Sequence, residues 1–103
     1  MNRVFHALAS GVRRQILDVV RQSPGCSVKH VCTYFDVSRI AVMKHLNVLE
    51  KAGLLISEKQ GGRRLLYFNT VPIQMIHERW SDEFNALWAS RVTAIKYKLE
   101  QAS

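Results

Sequence analysis

The segment from Ser38 to Asn69 constrains this chain more than any other, because helix periodicity, a helix stop and a hairpin signal follow one another without interruption. Ser38 is a cap residue, and Val42, Leu46 and Leu49 recur at i, i+4 and i+7, which sets them on one stripe of a helix over residues 38–51. Ile40, Met43, Lys44 and Asn47 fall on the other side. Gly53 suits the left-handed backbone that ends a helix. Beyond it, Leu54 to Lys59 and Arg64 to Asn69 read as strands, joined by Gln60-Gly61-Gly62-Arg63, where two glycines accept the positive φ of a tight turn. A helix with an exposed polar face, followed at once by an arginine-tipped hairpin over residues 55–69, has the form of a device for gripping duplex DNA.

The placement of charge points the same way. The chain has 103 residues, enough for one domain and one core, and carries a formal charge of +7. Residues 1–70 hold 11 Lys and Arg against 4 Asp and Glu, whereas residues 71–103 hold 4 of each, so the whole excess sits on the helix-and-hairpin part. A protein-interaction module of similar design has no need to gather cations there, which favours a nucleic-acid partner. Apolar runs fall well short of the roughly 20 residues that span a bilayer, and the N-terminus lacks a signal-peptide pattern, so a cytoplasmic, non-membrane protein is expected. Cys26 and Cys32 have five residues between them, match neither a zinc nor a redox spacing, and are expected as free thiols. Nothing resembles a nucleophile elbow, a phosphate loop after a strand or a paired-carboxylate site, so the chain is not expected to be an enzyme and no cofactor is expected.

The remaining periodicity fills in the helices. Arg3 to Ala9 reads as a short helix carrying Val4, Phe5 and Leu8. Ser10 caps a second, with Val12, Ile16, Val19 and Val20 inward and Arg13, Arg14, Asp18 and Arg21 outward. Ser23-Pro24-Gly25 breaks the chain, and Ser27 caps a third helix with Val28, Val31, Cys32 and Phe35 on one face. A short turn then leads to Ser38, making a helix-turn-helix. From Pro72 one long helix is predicted over residues 72–102. Ile73, Ile76, Trp80, Phe84, Leu87, Trp88, Ile95 and Leu99 recur along it at spacings of mostly three and four. At 1.5 Å per residue such a helix measures roughly 45 Å, and no Gly or Pro after Pro72 supplies a break. It overhangs a domain of this size, so a second subunit is expected to cover its aromatic face, the alternative being that the helix breaks and folds back on its own domain.

Element order and particular runs together resemble the ArsR/SmtB type of bacterial winged-helix repressor over nearly the whole chain. The carriers are Phe5 to Ser10 running into Val12 to Leu17, then Ser38 through Leu46, Val48 to Leu55, and the wing from Gly61 to Tyr67. The resemblance implies a mainly α winged helix-turn-helix with a small β-hairpin and a long C-terminal dimerisation helix, forming one domain over residues 1–103. It implies a homodimer built from the first and last helices, with Phe5, Leu8, Ile76, Trp80, Phe84, Leu87, Trp88 and Ile95 at the interface. Each subunit would place the helix from Ser38 in the major groove of a pseudo-palindromic operator in double-stranded DNA.

The family's DNA-facing positions select Arg39, Ile40, Met43 and Lys44, three of which periodicity also exposes. Arg39 and Lys44 can reach guanine O6 and N7 or a phosphate, and Ile40 and Met43 can touch thymine methyls. The family usually has small polar residues at those last two places, and the alternative is that both finish the local core. His45 reads equally as a packing residue or a phosphate contact. Arg63 and Arg64 at the wing tip are expected on phosphate or in the minor groove. Arg13 or Arg14 is expected on phosphate, with Asp18 as an ion-pair partner for the other.

Metal-sensing members hold thiolates in the third helix or an Asp/His set on the terminal helix. The matching positions here are Ser27 and Lys29 in the first case, and in the second His77 with Trp88 eleven residues on, so neither ligand set is intact and no metal site is expected. His30 and Cys32 are read as a solvated histidine and a core cysteine. The terminal helix instead resembles that of the metal-free, SdpR-like repressors. Alternatives that keep the fold are a protein-interaction module and a sensor responsive to metal or, through Cys26 or Cys32, to oxidation.

Overall fold

The computed structural model describes residues 1–81 and 83–102, with the side chains of residues 83–86 outside that description. The chain divides into two compact units, Met1–Pro72 and Ile73–Ser103.

In the first unit the order is α1 (Asn2–Leu8), α2 (Gly11–Gln22), β1 (Cys26–Ser27), α3 (Val28–Cys32), α4 (Arg39–Lys51), β2 (Leu55–Gln60) and β3 (Arg63–Phe68). Three serines start three helices by accepting an orphan backbone N–H. Ser10 Oγ takes that of Arg13 at 3.3 Å, Ser27 Oγ that of His30 at 3.1 Å, and Ser38 Oγ that of Ala41 at 3.1 Å. Each such cap contributes about 0.5–2 kcal/mol. Helix α4 ends in a Schellman motif: Gly53 has φ +77°, its N–H donates to Glu50 O at 2.9 Å, and Leu54 N–H reaches back to Leu49 O at 3.0 Å.

Ile16, Val20, Val31, Val42, Leu46, Leu49, Leu54 and Leu66 are fully buried and form the core of this unit. The stripe of α4 is therefore inward as its periodicity dictates, and burying each large side chain is worth roughly 1.5–3 kcal/mol. Elsewhere the inward residues shift. Leu17 is buried while Val12 and Val19 are half-buried, and Ala7 rather than Phe5 joins Val4 inside. Helix α3 stops at Cys32, leaving Phe35 in the turn beyond it.

Strands β2 and β3 pair in antiparallel register from Leu55↔Phe68 to Gln60↔Arg63, and β1 adds to the free side of β3 through Cys26↔Leu66 and Ser27↔Leu65, giving the order β1-β3-β2. At the tip only Gly61 takes a positive φ, +61°, rather than both glycines. That places the unusual conformation at the first central position, as a type II′ turn requires. Burial in the hairpin is confined to its base, at Leu55 and Leu66, so residues 58–63 project into solvent.

The second unit departs from the single helix expected from Pro72. Helix α5 (Val71–Trp80) stops, and α6 (Glu83–Ala102) supplies the long C-terminal helix with 20 residues. Ser81, whose N–H still donates to His77 O at 2.8 Å, follows the last residue of α5 and is of a type that favours helix ends over interiors. Among the described residues no helix is long and apolar enough to cross a membrane.

Candidate nucleic-acid interface

Helix α4 is anchored by Val42, Leu46 and Leu49, and this fixes what it presents outward. Arg39, Lys44 and Asn47 are exposed, and Ile40 is 71% exposed, which removes it from the core. Met43 is half-buried and lines a cleft with Arg39, with Ser27, Val28 and Lys29 at the start of α3, and with Gly62, Arg63 and Arg64 at the wing. Three separate elements thus bring four cationic side chains to one concavity, with no carboxylate among its lining residues. Neither α2 nor α4 has an acidic residue in its first turn, and α4 opens on Arg39, against the preference of a helix N-terminus for negative charge. That arrangement sacrifices a little stability for a surface of one sign.

Four of the residues considered for DNA contact make contacts within the protein. Arg64 forms an ion pair with Glu50 of α4, and its Nε donates to Ser57 Oγ of β2 at 2.8 Å. Ser57 Oγ in turn donates to Glu50 Oε1, so the guanidinium ties the wing to the end of α4. Arg13 donates from Nε to Ala7 O at 2.8 Å and from Nη2 to His6 O at 2.9 Å, and its Nη1 lies 3.3 Å from His45 Nδ1. Arg14 likewise donates to Leu8 O at 2.7 Å, not to Asp18. Both arginines donate to carbonyls at the C-terminal end of α1, where His6 O also accepts the Ala9 N–H at 3.2 Å. His45 is half-buried, with its Nδ1 turned to Arg13.

A model of the MarR family matches residues 10–64, from the cap of α2 into β3. YuzN, an uncharacterized HTH-type transcriptional regulator of Bacillus subtilis, is 36% identical over 83 residues, which cover 75% of this chain and 90% of YuzN. The chain belongs to the winged-helix transcriptional regulators of the MarR and ArsR type. An ArsR-like transcriptional regulator from Rhodococcus sp. RHA1 superposes with a TM-score of 0.74 at 30% identity, covering 97% of this chain and 90% of that one. The transcriptional repressor SdpR of Bacillus subtilis is 28% identical over 74 residues, 72% of this chain and 81% of its own.

In this regulator Lys29 is the cleft residue that sequence reasoning left out of the interface. The available signal was its place two residues after the Ser27 cap, in the first turn of the first helix of a helix-turn-helix. On the opposite account, His30 is not solvated as expected: it is half-buried, its ring meets Tyr34 edge-on at 5.4 Å, and its Nε2 is buried without a hydrogen-bond partner among the described residues. Cys26 and Cys32 are both free and half-buried, and desolvation by burial pushes the Cys26 thiol up from its ordinary value, opposed by a backbone hydrogen bond that lowers it. A raised thiol holds less of the reactive thiolate at neutral pH.

The residues expected at a subunit interface are largely outward. Phe5 is 44% exposed and Leu8 half-buried on α1; on α5, Ile76 is half-buried and Trp80 exposed. Leu87, Trp88 and Ile95 of α6 are exposed, as are Val92 and Leu99, while the side chain of Phe84 lies outside the described residues. Trp88, Val92, Ile95 and Leu99 follow one another at four, three and four, the spacing of a helix-packing seam. Arg79 and Arg91 lie over the rings of Trp80 and Trp88 at 5.5 and 5.1 Å.

Because Arg64 is tied to Glu50 and Ser57, Arg64→Ala should lower stability by about 1 kcal/mol, a figure reduced by partial exposure of the pair. Thermal melts beside salt titrations of DNA binding check this: the melt should move while the salt slope stays within half a unit of the parent.

Proposed function

We propose that this regulator is a homodimeric repressor that binds a pseudo-palindromic operator in cytoplasmic double-stranded DNA, including the operator of its own gene. Helix α4 lies in the major groove with Arg39, Ile40, Met43 and Lys44 toward the bases, while Lys29 and the wing residue Arg63 hold the backbone or minor groove. The observation that carries this reading is the cationic cleft, to which the start of α3, the exposed face of α4 and the wing tip all contribute. The apolar seam on α6 supports the dimer, since a stripe of this kind is ordinarily covered by a partner helix. Similarity to a relative named as a repressor supports the direction of regulation.

Substitutions separate base reading from backbone contact. Arg39→Ala or Lys44→Ala should cost on the order of 1–3 kcal/mol on the operator and relax base choice. Arg63→Ala should instead weaken operator and random duplex alike and reduce the salt slope by about one, near the −0.9 expected per neutralised phosphate. Equal losses on both duplexes for all three variants would contradict base reading by α4.

Added Zn(II), Cd(II) or As(III) should leave operator affinity essentially unchanged. At the positions matching the family's ligands stand Ser27, whose oxygen caps α3, the exposed Lys29, and Trp88. Operator titrations with and without each ion test this, and stoichiometric uptake with a large loss of affinity would overturn it, making Cys26, His30 and Cys32 the next residues to substitute.

A further inference from the structure

The guanidinium of Arg13 bridges two helices from a third. Its Nε and Nη2 donate to Ala7 O at 2.8 Å and His6 O at 2.9 Å on α1, and its Nη1 stands 3.3 Å from His45 Nδ1 on α4. Its own backbone is held as well, because the Arg13 N–H is the one that Ser10 Oγ accepts at the start of α2. Arginine carries donors only, so His45 must offer Nδ1 as an acceptor and keep its proton on Nε2. The planar fork fixes the direction of each contact, which a lysine ammonium does not. His45 adjoins two residues of unlike surroundings, the exposed Lys44 and the fully buried Leu46, so a displacement of α1 drawn through this bracket acts where α4 passes from core to DNA-facing surface.

We infer that Arg13 is a positioning residue that couples α1 to the recognition helix, so that the seating of α1 at the subunit interface sets the pose of α4 in the major groove. This rests on the operator-binding dimer proposed above. It assigns Arg13 a role opposite to a phosphate contact, and the two roles differ in what they require of the side chain. A phosphate needs positive charge, which lysine supplies; the bracket needs three donors in a plane.

The test uses the full chain with four substitutions, Arg13→Lys, Arg13→Gln, His45→Ala and His45→Asn, each titrated on operator and random duplex over a range of salt, with melting and sedimentation recorded. Arg13→Lys and Arg13→Gln should both lose about tenfold in operator affinity, the loss expected for a hydrogen bond to a charged group, with random-duplex affinity unchanged. The salt slope of Arg13→Lys should match that of the parent. His45→Ala breaks the α4 end alone and leaves the α1 carbonyls bonded, so it should show the same tenfold loss with the dimer intact. His45→Asn, which restores an acceptor near Nδ1, should recover most of it. The double variant Arg13→Gln/His45→Ala should lose no more than either single one.

Full operator affinity in Arg13→Lys, with Arg13→Gln weakened equally on both duplexes, would overturn the bracket in favour of a phosphate contact. Unchanged operator affinity in His45→Ala would overturn it too, and that variant carries the test if Arg13→Gln melts below the assay temperature. A parent protein with no preference for its operator would overturn the DNA reading itself, an outcome distinct from both.

Discussion

Removing residues from Ile73 onward should leave a winged unit that sediments as a monomer and binds the operator only about as well as random duplex. The first unit, Met1–Pro72, holds the capped helices, the sheet and the cationic cleft, so backbone contact survives. What is lost is the second half-site. Linking two binding modules raises overall affinity by about 10²–10⁴ without any new contact, and that factor should disappear with α6. The exposed seam Trp88, Val92, Ile95 and Leu99 is the surface expected to hold the pair together. Sedimentation and operator titration of the two proteins side by side decide it: a truncated protein that still dimerises and binds the operator at full strength would remove α6 from the interface.

The second large effect is expected in the anchor of the recognition helix. Leu46 is fully buried at the centre of the α4 stripe, and truncating such a leucine costs about 2–5 kcal/mol, against a total stability of about 5–15 kcal/mol for a domain. Leu46→Ala should therefore lower the melting temperature by on the order of 10 °C or more. Ile40→Ala, at the second residue of α4 and a position 71% exposed, should change stability by no more than about 0.5 kcal/mol and alter operator choice instead. Melts of the two variants together with their operator titrations check the division; a large stability loss in Ile40→Ala would place that side chain in the core after all.

What was legible in the sequence was local. The stripe of Val42, Leu46 and Leu49, the caps at Ser10, Ser27 and Ser38, and the stop at Gly53 each depend on residues within one or two turns, and all are found in place. The exposure of Ile40 followed from the same wheel. What was not legible depends on which elements meet once the chain is folded. Strand β1 is two residues long and exists because Cys26 meets Leu66, forty positions away, which no periodicity in Cys26-Ser27 announces. Arg13 and Arg64 looked like free cations for want of knowing that the end of α1 and Glu50 stand beside them. The convergence of Lys29 with Arg39 and Arg63 is a property of the assembled sheet and helices. The end of α5 at Trp80 is marked by neither Gly nor Pro, and Ser81 just past it is a residue of only modest helix preference.

The most direct test of the whole reading is a titration of the 103-residue protein against duplex DNA from upstream of its own gene and against random duplex of equal length, at several salt concentrations, with footprinting of the upstream segment. An operator-binding dimer predicts two protected half-sites about one helical turn apart, a preference well above tenfold, and a steep fall of affinity with salt. A preference of tenfold or less, with no footprint, would contradict it.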